Sequence, residues 1–263
     1  MIFDLHNDLV TAKMPLEQMR RFIKSNARVK MTLAVWTSKI ADPLPFIAEV
    51  IRQFSPLGNV LFAVEDLWFL TEKNLAALCA LPLSYCTLAW DTDNAVAGGH
   101  KGTGGVTEFG KRAVAAMNKS GIAVDAAHLN ERSFYNLLDL TDTLICSHAC
   151  LKETRFHSRN LSPEQVKNII ARGGVVGLTA VADFLPDGEG ARGGFVNQLC
   201  AFASRYGVDS LALGTDLFGT DPLKGLETYE KFASLAYDLE GAGFTAGEAE
   251  KILFRNADKF FSD

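Results

Sequence analysis

Apolar residues gather along the chain in short runs at 1–5, 29–36, 60–65, 83–89, 121–127, 143–147, 174–179 and 210–215. Several are rich in Val, Ile, Leu, Phe or Thr, and a continuous apolar run of this length reads as a strand buried on both faces. Between or after these runs the spacing turns helical. Thr71-Glu72-Lys73-Asn74 precedes Leu75, Leu78 and Leu81, and Phe109, Ala113, Val114 and Met117 share a helical face within 107–117. Asn130-Glu131-Arg132-Ser133 reads as a cap before Phe134, Leu137 and Leu138. Ser162-Pro163-Glu164-Gln165 supplies a cap, a first-turn proline and a reciprocal glutamine. Thr245-Ala246-Gly247-Glu248 repeats that box before Ala249, Ile252 and Leu253.

Eight strand runs, largely separated by helical segments, predict an α/β fold: a TIM-like (β/α)8 barrel forming a single domain over 1–263. An open doubly wound sheet is the competing arrangement, but its dinucleotide fingerprint is absent. Gly98-Gly99, Gly102 and Gly104-Gly105 make a glycine-rich loop. No Gly-Lys-Ser/Thr ending follows, so it reads as mobile or tightly turned backbone and not as a phosphate loop. The segment 184–194, with Gly188, Gly190, Gly193 and Gly194, reads as another loop. No linker divides the chain.

Composition fits a large buried core, with 48% apolar and 22% charged residues over 263 positions. The net charge of -5 comes from mixed signs. No basic stripe is present, which speaks against a nucleic-acid partner, and Lys101 and Lys111-Arg112 read as ordinary surface charges. No apolar run is long enough to span a membrane. The start, carrying Asp4 and Asp8, lacks the basic-then-apolar order of a secretion signal. The cysteines at 79, 86, 146, 150 and 200 show no pairing pattern and are expected to be free thiols in a reducing compartment.

The chemistry-bearing residues stand where the apolar runs stop. The first run ends in His6-Asn7-Asp8, the third in Glu65-Asp66, the fifth in His128, the sixth in His148 and the eighth in Asp216. Singly, each has a bland reading: a hydrogen-bonded strand end for His6, a turn cap for Asp8, a solvated acidic pair for Glu65 and Asp66, core histidines for His128 and His148, a loop acid for Asp216. In a barrel all these ends meet at one face, where catalytic groups gather. Residues two apart on an extended backbone point the same way, so His6 and Asp8 could grip one metal. Glu65 could bridge two ions, and His128 and His148 could hold the second. This nitrogen-oxygen set suits Zn2+, with Mn2+, Co2+ or Fe2+ compatible. Asp216 fits general acid-base work beside such a centre.

A resemblance runs through the same residues. Asp4-Leu5-His6-Asn7-Asp8-Leu9, the segment around Glu65, Gly105-Val106-Thr107-Glu108-Phe109-Gly110, Met117-Asn118, Gly121-Ile122-Ala123-Val124-Asp125 to His128, Ser147-His148-Ala149, Arg159-Asn160-Leu161-Ser162-Pro163, Gly173-Gly174-Val175-Val176 and Gly214-Thr215-Asp216-Leu217-Phe218-Gly219 follow one another in order. In these stretches the chain resembles the membrane (renal) dipeptidase family, the M19 metallopeptidases of the amidohydrolase superfamily. The resemblance implies a barrel-type, metal-dependent hydrolase that cleaves the amide bond of a dipeptide with a metal-activated water at a binuclear zinc centre. It implies His6 and Asp8 on one ion, His128 and His148 on the other, Glu65 between them, and Asp216 as acid-base residue. It places Arg159 against the substrate carboxylate, a role suited to a rigid guanidinium fork. It also favours a homodimer.

Two departures bear on the pocket. Tyr85-Cys86-Thr87-Leu88-Ala89 is followed by Trp90, where the family usually carries a substrate-contacting histidine. An indole has one donor and cannot repeat an imidazole's proton transfer. Leu217-Phe218 stands where an extra aspartate often precedes the final glycine. The expectation is an intact ligand set beside a substrate pocket altered at Trp90; His100 and His157 are spare loop histidines that could reach it, but they read more readily as unrelated to the site. Small dipeptides are the expected substrates. The alternatives are another small amide or lactone with a free carboxylate, or a non-catalytic metal- or ligand-binding barrel. The chain is shorter than the membrane-anchored animal members, and a cytoplasmic microbial member is expected.

Overall fold

The computed structural model describes residues 1–186, 188 and 191–262. Among them, eight parallel strands close into a barrel in sequence order: β1 (Ile2–Asn7), β2 (Val29–Trp36), β3 (Val60–Glu65), β4 (Tyr85–Thr87), β5 (Ala123–Asp125), β6 (Leu144–Ala149), β7 (Val176–Leu178) and β8 (Leu211–Leu213). Asp4 opposite Leu213 joins β1 to β8 and excludes an open sheet. Every predicted run holds one strand. Those of β4, β5, β7 and β8 are only three residues long, shorter than their runs.

The helices are α1 (Leu16–Ser25), α2 (Pro43–Phe54), α3 (Leu75–Cys79), α4 (Glu108–Lys119), α5 (Glu131–Leu137), α6 (Pro163–Ala171), α7 (Arg192–Tyr206), α8 (Tyr229–Ala233), α9 (Leu235–Gly241), α10 (Ala246–Glu250) and α11 (Asn256–Phe260). The five sequence signals for helices fall on α3, α4, α5, α6 and α10. At α6, the Ser162 hydroxyl accepts from the Gln165 backbone N–H at 3.3 Å and the Gln165 side chain accepts from the Ser162 N–H at 2.8 Å. Each bond satisfies a donor that a helix start leaves open.

The loop expected over 184–194 is corrected at its far end. Gly193 and Gly194 belong to the first turn of α7. Asp187, Glu189 and Gly190 of that segment lie outside the described residues. The glycine-rich loop at 98–105 is tightly turned. Asp93 Oδ2 accepts from the Gly104 N–H at 2.8 Å, and Asn130 Nδ2 donates to the carbonyls of Gly102 and Gly104. A Cβ on Gly99 would lie 2.3 Å from the Trp90 carbonyl oxygen, so only glycine fits there.

Apolar side chains form two layers. One fills the space between strands and helices. The other fills the barrel: Phe3, Leu5, Tyr85 and Ile145 fit beside the small Ala63, Ala123 and Ala212, with Phe254, Phe260 and Phe261 packed against them. That layer closes the barrel at the end opposite the rim where the polar residues sit. No helix among the described residues is long and apolar enough to cross a membrane. The five cysteines are free, and Cys86, Cys146 and Cys150 are buried.

Candidate metal centre and active site

The strand ends deliver their polar side chains to one cluster. His6, Asp8, Glu65, His128 and His148 are all buried, and Asp216 reaches them from the end of β8. Two strands change register as they arrive. β1 shifts against β2 between Asp4 and Asn7, and β6 shifts against β7 between Cys146 and Ala149. Such irregularities re-aim side chains. Here they fall at His6 and at His148.

Backbone strain marks the same rim. Asp66, His128 and Asp216, each at or near a strand end, have φ of 73°, 65° and 59°, and Phe218 has 71°. Left-handed backbone at a non-glycine residue costs about 1–3 kcal/mol and persists only where the surroundings hold it. Gly219 completes the turn after Asp216. A Cβ there would lie 2.4 Å from both Asp216 Oδ1 and Asp8 Oδ2. Glycine therefore leaves room for the two carboxylates to face each other.

Hydrogen bonds orient two of the imidazoles. Tyr85 Oη donates to the Leu5 carbonyl at 2.8 Å, so at 2.9 Å it accepts from His6 Nδ1. That leaves His6 Nε2 facing Asp8 Oδ2 at 3.5 Å and Glu65 Oε2 at 3.7 Å, with no hydrogen bond of its own. Asp125 does the equivalent for His148. It accepts from Thr87 Oγ1 at 2.7 Å and from the hydroxyl and N–H of Ser147, and Ser147 Oγ then accepts from His148 Nδ1 at 2.8 Å. His148 Nε2 is thereby turned toward His128 Nε2 at 3.0 Å. Glu65 Oε1 lies 2.7 Å from His128 Nε2 and 3.7 Å from His148 Nε2. Carboxylates and hydroxyls behind ligating histidines fix the tautomer and the ring. Tyr85, Asp125 and Ser147 were not singled out for this work by spacing along the chain.

Asp4 braces the rim on the other side. It accepts from the Thr215 N–H and hydroxyl, both at 2.8 Å, and from Tyr229 Oη at 2.6 Å. This ties β1 to the segment carrying Asp216. Asp66 faces away from the cluster, toward Ser38 at 2.8 Å and Asn94 at 2.9 Å, so it does not pair with Glu65 in solvent.

The electrostatics are those of groups that need a cation. Burial, reinforced by Arg159 and His100, pushes His128 well below the usual histidine range. Burial with His6 and Arg159 does the same to His148. Both rings are therefore neutral, with lone pairs free to ligate. Burial would also lower His6, but Tyr85, Glu65 and Asp8 reverse this and hold it well above the usual range. Burial and the charge of Asp8 push Asp216 well above the carboxylate range, and burial raises Asp8. Two sets of ligand atoms, His6–Glu65–His148 and His6–Asp8–Asp216, each lie within 4.8 Å of one another. The donors fit a metal site with room for two ions: neutral nitrogens, crowded carboxylates and an orphaned buried nitrogen are all relieved by divalent cations.

Above the cluster opens a pocket of about 370 Å³. Trp90 stands in its wall, 5.0 Å from Trp36 and 5.8 Å from His128 between ring centroids. Arg159 is buried in another wall. Its Nη2 donates to the His148 carbonyl at 3.2 Å, its Nε makes no hydrogen bond, and its guanidinium lies 5.5 Å from the Phe184 ring centre. Both loop histidines line the pocket. His100 bonds Asp91 at 2.8 Å and Ser158 at 2.9 Å, while His157 accepts from the Arg159 N–H at 3.1 Å. Asp91, His100 and His128 also bring ligand atoms within 4.8 Å. Lys101 already occupies Asp91 at 2.5 Å, which opposes a cation there.

Comparison with known proteins gives three findings. The family model described as membrane dipeptidase (peptidase family M19) matches residues 59–263. Two Schizosaccharomyces pombe proteins described as uncharacterized dipeptidases are 27% identical over 203 residues and 29% identical over 185 residues. These matches cover 71% and 67% of this chain and 49% and 45% of the yeast proteins, so the chain spans about half the length of the curated relatives it matches. Among solved structures, a metallopeptidase from Rhodobacter sphaeroides, liganded with a phosphinate mimic of the dipeptide L-Ala-D-Ala, superimposes with a TM-score of 0.83 at 18% identity, covering 99% of this chain and 98% of that one. An amidohydrolase from Pseudomonas aeruginosa superimposes with a TM-score of 0.81 at 18% identity, covering 100% and 96%. At such identities these likenesses show the shared fold.

Proposed function

Since the chain belongs to the membrane dipeptidase family, peptidase family M19, we propose that it is a metal-dependent hydrolase that cleaves the amide bond of a dipeptide at a binuclear zinc centre. The observation that carries this reading is the unpaired His6 Nε2 facing Asp8 and Glu65, beside two neutral imidazoles whose Nε2 atoms meet at 3.0 Å. In this reading His6 and Asp8 would hold one ion and His128 and His148 the other, with Glu65 placed to contribute to both. When bound, the ions supply Lewis acidity, polarising the scissile carbonyl and lowering the pKa of a water.

The chain's own groups do the rest. Arg159 binds the substrate carboxylate and so fixes which end of the molecule points to the β6–β7 side. Trp90 packs against the substrate and shields the reacting bond from bulk water. Asp216 takes the proton from the attacking water as the new C–O bond forms. It then returns that proton to the amide nitrogen as the C–N bond breaks, releasing an amine and a carboxylic acid.

The test is metal analysis paired with a screen of zinc-, manganese- and cobalt-loaded protein against dipeptides, N-acyl amino acids and lactones. Near two equivalents of metal per chain and turnover of dipeptides are expected. Glu65→Ala should release metal. Turnover of none of these classes by fully loaded protein overturns the hydrolase reading.

A further inference from the structure

Resting on that reading, we infer that the substrate carries a large apolar, preferably aromatic, group on the carbonyl side of the scissile bond. The argument is one of position around the barrel. Arg159, His157 and Phe184 stand in the loops after β6 and β7, so a carboxylate held by Arg159 lies on that side. Trp36 and Trp90 stand on the opposite side. Trp36 is the last residue of β2, in register with Glu65 on β3, and Trp90 follows the end of β4. The two indoles therefore flank the strand that delivers the central carboxylate. A substrate that reaches from Arg159 across the cluster brings its carbonyl-side residue to the indoles.

The rings make that wall largely apolar, and one polar atom in it, the buried Trp36 Nε1, makes no hydrogen bond. The two rings lie 5.0 Å apart, and both side chains are half-buried and line the pocket. Lys39 Nζ sits 4.8 Å from the Trp36 ring centre, and such a cation contact helps hold the ring at the rim. Two acids beside this wall are engaged: Asp91 with His100 and Lys101, Asp66 with Ser38 and Asn94. Phe184 on the other side already has Arg159 at 5.5 Å and the His157 ring at 4.7 Å. The indole pair is thus an apolar surface left for substrate on the side away from Arg159.

The test compares Phe-Ala, Trp-Ala, Ala-Phe and Ala-Ala with metal-loaded enzyme. We expect kcat/KM for Phe-Ala to exceed that for Ala-Ala by about tenfold or more, within the range a shaped apolar pocket supplies. Trp36→Ala and Trp90→Ala should each lower the Phe-Ala to Ala-Ala ratio, and Trp36→Phe should keep it. A ratio at or below one, or a ratio that both alanine variants leave unchanged, overturns the inference. Binding supplies a readout independent of turnover. The chain has three tryptophans, so a Trp68→Phe protein reports on Trp36 and Trp90 alone. Titration with the reduced-amide analogue of Phe-Ala should change their emission and saturate at lower concentration than the Ala-Ala analogue. If the wild type hydrolyses nothing, the hydrolase reading fails and this titration still decides the inference. Equal or weaker binding of the Phe-Ala analogue overturns it.

Discussion

The two ends of the barrel are built from opposite materials on the same strands. At one end Phe3 of β1 packs with Phe254 and Phe261, with ring centroids 6.3 and 5.9 Å apart. At the other end the same strand delivers His6 and Asp8 into a cluster of carboxylates and imidazoles. The closed end gains from every contact it makes. The open end carries left-handed backbone, facing carboxylates and orphaned nitrogens, each of which costs stability without a cation. The difference teaches that stability and chemistry have been separated along each strand by only a few residues. Substitutions at the two ends should therefore fail in different observables.

The largest expected effect is at the open end. Asp216→Asn should lower kcat by about 10²–10⁴-fold, the range for loss of a positioned acid-base group. It should leave the metal content near the wild-type value. Loss of both metals along with activity would make Asp216 chiefly a ligand. At the closed end, Phe3→Ala should cost about 3–5 kcal/mol through the cavity it leaves. In a chain of this length that lowers Tm by about 2–4 °C per kcal/mol. Thermal unfolding checks it. Metal content and kcat measured well below the transition should stay close to wild type. A Phe3→Ala protein that is stable but inactive would break the separation between the ends.

Much of this division is legible in the sequence, because a parallel barrel sends every strand's C-terminal end to one face. His6, Glu65, His128, His148 and Asp216 each interrupt or end an apolar run, so their position along the chain already states their position in space. The capping boxes at Ser162 and Thr245 are equally local and mark α6 and α10. What stayed hidden depends on neighbours across the barrel. Tyr85 orients His6 from 79 residues away, and no periodicity in β4 distinguishes that phenol from an ordinary core aromatic. Trp36 is likewise only the end of an apolar run until the register sets it beside Glu65. α1 begins after Pro15, α2 at Pro43 and α7 on Arg192-Gly193-Gly194, and none of them has a side-chain cap to announce it.

A smaller effect should come from the groups that stand behind the cluster. Ser147→Ala removes the hydroxyl between Asp125 and His148 Nδ1, and so the constraint that turns Nε2 toward His128. Loss of such a partner costs about 10–100-fold in metal affinity. Competition with a chelator would measure it. Thr87→Val, which removes the other hydroxyl donor to Asp125, should act in the same direction but less strongly, because Ser147 keeps its bonds to that carboxylate. An equal loss from both would mean that Asp125, and not the serine relay, controls the ring.

The smallest effect separates the open end's imidazoles from its carboxylates by pH. In metal-free protein His148 is held neutral by burial, by the positive His6 and by Arg159, so its folded pKa lies below its unfolded value. The unfolded chain binds a proton at this residue as pH falls below about 6.5, and the folded chain refuses it. Stability from His148 is therefore present above that range and is lost as pH falls, with a slope of up to about 1.4 kcal/mol per pH unit. Denaturant titrations of chelated wild type and of His148→Gln, run between pH 7.5 and pH 5, isolate this contribution by difference. The wild type should lose stability relative to the variant on acidification. A difference that stays flat would mean that folded His148 accepts the proton after all, most directly by sharing it with Glu65 at 3.7 Å. Reloading with metal should suppress the slope near neutrality, since a ligated imidazole cannot take up a proton until the metal leaves. At lower pH the slope should return together with metal release, which ties this titration to the same ring nitrogen that the Ser147 variant perturbs from behind.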